Sequence, residues 1–389
     1  MSEYDSTAHG RVPPDYGGGG LVNLMASLAA GLGAPVRWPV APALPPERVA
    51  EARIVVLVII DGLGWRAVAE QPDSWLACHA VAPLTSVYPS TTTSAITTLL
   101  TGVPPAVHGL PAWFTRLREW NRVAVPLMGA PREGERTAEM ALPYDQPGFS
   151  TDLDVIAHTI QPGWLMDSAY TRHHAGAAWR HGFDGLAELN ERILEIADLS
   201  SERNYLQAYW PEYDHLCHEH GTSAPETRAH FAAVDAALAE LRAALPMDAL
   251  LLVTADHGLV DTAPDGCHQL MDHPRLAAEL SAPLCGEPRA PFLHVRPGRL
   301  GAARDYIREH LAGVATPWTR EEVLRAGWLG PGEPHPELEH RIGDLVLEMA
   351  PGQVLVGDPD QRGVCLRGVH GGLSAAEMLV PLVIARDGD

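Results

Sequence analysis

Four short stretches, far apart along the chain, carry the residues best suited to chemistry. In VVLVIIDGLG, Asp61 follows directly on an apolar, β-branched run. In YWPEYDHLCHEHG, Asp214 and His218 are four apart, a spacing that sets both on one face if the segment is helical. In LLVTADHGLVD, Asp256 and His257 follow a second apolar run, and in RGVHGGLSAAEM, His370 precedes two glycines. Each piece alone has an ordinary explanation: a turn after a strand, a solvated helix face, a loop. Gathered together, carboxylates and imidazoles form a donor set that suits zinc, with manganese as the alternative.

A fifth stretch, SVYPSTTTSAITTLLTG, supplies hydroxyls. Pro89 and the Ser/Thr cluster after it open a helix over residues 90 to 101, and Gly102 closes it. The unpaired N–H groups and positive dipole end of such a start favour a phosphate. A hydroxyl that loses its proton to a metal there can attack phosphorus. Simple N-capping by Ser90 or Thr91 competes with that reading.

These residues need a frame that brings them together. Residues 54–60 (IVVLVII) and 249–254 (ALLLVT) are continuous apolar runs, the pattern of strands buried on both faces. Residues 206–210 and 378–385 add two more strands. Between residues 227 and 245, Phe231, Val234, Leu238, Leu241 and Leu245 recur in steps of three and four, an amphipathic helix that Pro246 ends. A shorter helix is expected over 21–32. Strands alternating with helices predict a mostly parallel α/β sheet sandwiched by helices. In such sheets ligands bind beyond the carboxyl ends of the strands, which is where Asp61, Asp214 and Asp256 fall.

Composition shifts after residue 282. A strand over 292–296, a helix over 300–311 and a strand over 344–349 predict a small inserted α+β cap, residues 287–350, on a core of residues 1–286 and 351–389. The cap is expected to choose the substrate without touching the metals. Ser374 and Glu377 have the spacing of a capping box. His268 and His273 read as polar-loop residues, and His108 as the brace of a turn.

The 389 residues give a formal net charge of −21, and no basic run offers a footing for a nucleic-acid polymer. No apolar run reaches the roughly 18 residues of a membrane span. The N-terminal residues lack the basic and apolar regions of a secretory signal. The five cysteines are scattered, with no C-x-x-C pair, and predict reduced thiols and a cytoplasmic location.

The motif order (D-G, a Thr-rich helix start ending in T-G, D-x-x-x-H, D-H-G, a late H-G-G) resembles the alkaline phosphatase superfamily. Within it, the chain looks like the nucleotide pyrophosphatase/phosphodiesterase branch, with its phosphonoacetate hydrolase relatives. The resemblance spans residues 54 to 385 and implies the alkaline phosphatase-like fold. It selects Thr92 as a nucleophile that forms a phospho-threonine. It implies one divalent ion on Asp61, Thr92, Asp256 and His257, and a second on Asp214, His218 and His370.

The implied activity is metal-dependent hydrolysis of a phosphodiester or pyrophosphate bond in a small substrate. Phosphomonoester or phosphonate hydrolysis is the alternative, kept open because Ala95 stands where many diesterases of the branch carry Asn. A monoesterase would need further cationic contacts, for which Arg289, Arg367 and His215 are the candidates. Nothing matches the C/S-x-P-x-R pattern of the superfamily's sulfatases. An inactive ligand-binding homologue is the rival from another class, and the complete set of ligand-type side chains argues against it.

Overall fold

The computed structural model describes residues 10–137, 140–199, 201–357 and 365–386. The strands of the main sheet begin with β1 (Ile54–Ile60), β2 (Ala80–Thr85), β3 (Ile156–Pro162) and β4 (Trp179–Phe183). They are followed by β5 (Asn204–Trp210) and β6 (Ala249–Thr254). A second sheet then contributes β7 (Cys285–Glu287), β8 (Ala290–Leu293), β9 (Ala315–Thr319) and β10 (Leu345–Met349), before β11 (Leu379–Ala385) closes the first.

The seven strands of the main sheet lie in the order β2-β11-β6-β1-β5-β3-β4. β1 runs parallel to β5 and β6, and β3 parallel to β4 and β5. β11 is antiparallel to both of its neighbours. The sheet is thus mostly parallel. Every residue of β1, β5 and β6 is buried, as strands covered on both faces must be.

Register decides where the chemistry falls. Ile60 pairs with Trp210 and Ile59 with Thr254, so the carboxyl ends of β1, β5 and β6 come out side by side. The chain leaving each strand there carries Asp61, Asp214 and Asp256. Helices α1 (Leu21–Gly31), α2 (Thr92–Thr101), α3 (Leu186–Leu199), α4 (Glu212–His220) and α5 (Pro225–Ala244) belong to this unit.

The second sheet is antiparallel, in the order β7-β8-β10-β9, and packs with helix α6 (Leu300–His310) around its own apolar cluster. Its first strand begins at Cys285, and Glu287 and Arg289 at its inner end reach the main unit. None of the described helices is long and apolar enough to cross a membrane.

Two expectations need correction. Glu377 does not form a capping box through its backbone partner; its carboxylate takes the Ser374 hydroxyl and pairs with the Arg289 guanidinium, Nη2 to Oε2 2.9 Å, where both are buried. A buried cation draws the carboxylate more strongly than a helix end does. Arg289 is therefore not available to a substrate phosphate. Cys267 and Cys365 form a disulfide with Cα atoms 6.1 Å apart, and local spacing cannot reveal a pair separated by 98 positions. Free thiols remain at Cys78, Cys217 and Cys285, so the argument for a reducing compartment loses two of its five supports.

Candidate active site

Asp61 is held by the turn that ends β1. Gly62 takes φ +74° there, and its N–H donates to Asp256 Oδ1 at 3.0 Å. The N–H of His257 donates to the same oxygen at 3.0 Å, so the D-H-G turn fixes its own carboxylate. In α4 the four-residue spacing brings His218 Nε2 to 3.0 Å from Asp214 Oδ2. His370 lies across from them, its ring stacked on that of His257 at a centroid distance of 3.7 Å.

The three imidazoles share one arrangement. Nδ1 faces a backbone carbonyl in each: Gly368 at 2.7 Å for His218, Ser90 at 3.1 Å for His370 and Gly258 at 3.2 Å for His257. Donation from Nδ1–H leaves the Nε2 lone pair facing inward, the orientation of a metal-binding histidine. Gly368 allows this for His218, because a Cβ at that position would sit 2.5 Å from the Cys217 carbonyl oxygen.

Two groups of potential ligand atoms result, Asp61 with Asp256 and His257, and Asp214 with His218 and His370. In each group the atoms lie within 4.8 Å of one another. One carboxylate oxygen of each aspartate, Asp61 Oδ1, Asp214 Oδ1 and Asp256 Oδ2, is buried without a hydrogen-bond partner. Burial and the neighbouring Asp256 and Asp214 charges push the Asp61 carboxyl well above the usual range, and burial pushes Asp256 up to about 7. Burial also raises Asp214, but His218 and His370 beside it outweigh that and hold it low. Burial pushes His218 down, yet the Asp214 carboxylate more than offsets this and holds it at about 9. His257 and His370, driven by burial, fall to about 4 and about 3 and stay neutral. Three buried carboxylates with orphaned oxygens, beside the neutral imidazoles of His257 and His370, fit divalent cations.

Thr92 opens α2 and its Oγ1 lies 3.2 Å from His257 Nε2. Thr91, the N-cap residue, does not cap. Its hydroxyl donates instead to Glu287 Oε1 at 2.7 Å, and that oxygen also accepts the Trp113 N–H at 2.7 Å. The Thr91 side chain therefore does not seal the start of α2, whose first N–H groups have no partner within the helix. Thr93 is fully buried beneath.

Two contributors escape sequence reading. Tyr209, at the end of β5, donates its hydroxyl to Asp61 Oδ2. Glu287 meets Thr91 across 196 positions of sequence. Only the position of Tyr209 just before the D-x-x-x-H stretch could have drawn notice. Tyr209→Phe should lower metal affinity or turnover about 10- to 100-fold, the usual cost of losing a group that orients a ligand. Titration of metal-free protein with zinc checks this, and unchanged affinity and rate would make the contact incidental.

The remaining histidines stand elsewhere. His108 bonds Thr98 and the Leu110 N–H, bracing its turn as expected. His268 bonds Gln353 and His273 bonds Tyr306. His215 lies at the cleft wall, and Arg367 is exposed.

A family model described as type I phosphodiesterase / nucleotide pyrophosphatase matches residues 55–373. The chain belongs to that family. No curated protein sequence matches it. Among solved structures, murine ectonucleotide pyrophosphatase / phosphodiesterase 5 is similar with a TM-score of 0.66 at 18% identity, covering 85% of this chain and 88% of that one. Phosphonoacetate hydrolase from Sinorhizobium meliloti 1021, in complex with phosphonoformate, gives a TM-score of 0.64 at 19% identity, covering 86% and 91%. At these identities the likeness is one of fold. As a member of the type I phosphodiesterase / nucleotide pyrophosphatase family, the chain is a hydrolase of phosphate esters.

Proposed function

We propose that the protein hydrolyses phosphodiesters through a phospho-threonine on Thr92. The two ligand groups around the three orphaned carboxylate oxygens carry the reading. Asp61, Thr92, Asp256 and His257 would hold one divalent cation, and Asp214, His218 and His370 the other. Such a pair, zinc being the best fit to the mixed donors, supplies Lewis-acid stabilisation to the attacking and leaving oxygens of an in-line displacement.

The chain's own residues do the rest. Thr92 Oγ1 attacks phosphorus, the O–P bond to the leaving alcohol breaks, and that alcohol departs with a proton. The N–H groups at the start of α2 receive charge that builds on a phosphoryl oxygen. Water then cleaves the phospho-threonine, returning the Thr92 hydroxyl and releasing the phosphorylated product. Tyr209 holds Asp61 in place through both steps, and the Nδ1 contacts hold the three imidazoles.

A diester fits better than a monoester. The sequence contains no lysine. Arg289 is committed to Glu377, and Arg132 lies 4.1 Å above the Phe114 ring and donates to the Leu284 carbonyl. Of the three candidate contacts only His215 lines the cleft, so a monoester's additional anionic charge would find no uncommitted arginine among the described lining residues. Residues 287–350 we read as an inserted unit, of which Glu287 and Pro288 reach the cleft.

Metal-loaded protein assayed against bis-p-nitrophenyl phosphate, p-nitrophenyl phosphate, a dinucleotide and phosphonoacetate tests the proposal. The diesters should turn over at least tenfold faster than the other two. A preference for p-nitrophenyl phosphate or phosphonoacetate would move the assignment to the alternative.

A further inference from the structure

The metal-ligand cluster opens into a cleft of about 910 Å³, several times what one phosphoryl group fills and near the upper end of small-ligand sites. Away from the cluster one stretch of its wall is apolar. Trp113 and Phe114 come from the segment after the nucleophile helix, Leu127 and Met128 from a short turn, Trp164 from the turn after β3, and Leu366 from the approach to His370. Trp164 is 66% exposed and Met128 43%, so large apolar side chains face solvent at a wall continuous with the candidate catalytic cluster. Isolated exposed apolar residues need no explanation, but apolar residues gathered around one cleft do.

Charge narrows what can lie against this wall. Glu133, Glu212 and Glu287 face the cleft, while its one arginine, Arg132, is already stacked on Phe114 and bonded to Leu284. A second phosphate would meet carboxylates. Of the hydroxyls that line it, Thr91 is bonded to Glu287 and Tyr209 to Asp61, so the edge of a nucleobase would find few free neutral hydrogen-bonding partners. An uncharged apolar group meets no like-charge repulsion there and covers the exposed apolar side chains.

We infer that this chamber takes an apolar ester substituent, making the preferred substrate a phosphodiester of an apolar alcohol and not a nucleotide polyphosphate. The inference rests on the phosphodiesterase reading and specifies its substrate class. Alkylphosphonates carry a single substituent, so they report on the chamber without ambiguity about which group occupies it.

Methyl-, butyl-, hexyl- and octylphosphonate are to be measured as competitive inhibitors of p-nitrophenyl methyl phosphate hydrolysis by zinc-loaded protein, below their micellar concentrations. The inhibition constant should fall about fourfold per added methylene between butyl and octyl, the scale for burying one CH2. Adenosine triphosphate should inhibit less than octylphosphonate by at least tenfold. In the Trp164→Ala and Met128→Asp variants the chain-length ratio, read within each variant, should drop below twofold per methylene. A flat series in the natural protein, or a slope that both variants keep, overturns the inference. So does tighter inhibition by adenosine triphosphate. If the methyl substrate is not hydrolysed at all, the phosphodiesterase reading fails instead, and calorimetric binding of the same phosphonates still reads the chamber.

Discussion

Thr92→Ala should lower turnover by about 10³-fold or more, the scale on which removing a covalent nucleophile acts. Metal should still bind through Asp61, Asp256 and His257, whose placement does not depend on the threonine. Thr92→Ser, which keeps a hydroxyl, should retain partial activity. The adjacent threonines separate cleanly from it. Thr93 is buried, and the Thr91 hydroxyl is spent on Glu287 at 2.7 Å, so neither competes for the cluster. Thr91→Ala should therefore cost stability, about 1.5–3 kcal/mol for a buried bond to a carboxylate, while leaving a phosphorylated protein detectable. Trapping substrate phosphorus on the protein and mapping it by mass spectrometry decides the matter. Label on Thr91 or Thr93 would shift the nucleophile; no label on any hydroxyl would favour direct attack by water.

Removing metal should abolish activity, and adding zinc should restore it. Elemental analysis should find about two divalent ions per chain. Stripping them leaves three buried carboxylates facing one another with unpaired oxygens, so stability should fall as well. Each ion present at a thousand times its dissociation constant contributes about 4 kcal/mol, which a thermal melt with and without chelator would register. Full activity in protein shown to hold no metal would remove the basis of the two-ion mechanism. Asp214→Ala and His218→Ala should each empty one group and leave the other loaded. Normal metal content and turnover in both would make the α4 pair a structural contact.

What could be read in advance follows burial. β1 and β6 announce themselves because a strand covered on both faces must be apolar throughout, and their bounds agree with the runs at 54–60 and 249–254. β4 does not, because it is an edge strand: Trp179 and Arg180 are exposed and only Phe183 is buried. β3 hides behind His158, Thr159 and Gln161, polar residues that the interior accommodates with hydrogen bonds. In α3 only Leu189, Ile193 and Ala197 are buried, too thin a stripe to stand out. The ligand-type residues were legible for a different reason. Strand ends in a parallel sheet converge, so Asp61, Asp214 and Asp256 could be assigned to one crevice from local patterns alone. Tyr209 and Glu287 depend on contacts between distant segments, which no local pattern encodes.

The inner end of the second sheet bears on how freely relatives could exchange parts. Glu287 holds Thr91, one residue from the proposed nucleophile, and Arg289 holds Glu377, whose Oε1 accepts the Gly372 N–H in the loop that carries His370. A chimera joined at residue 287 would cut both ties at once and loosen the nucleophile and a proposed ligand together. A junction placed after Arg289 leaves them within the recipient. None of the described residues that line the cleft lies between 290 and 350, so recombination that respects that boundary should leave both the catalytic centre and the substrate wall as the recipient has them.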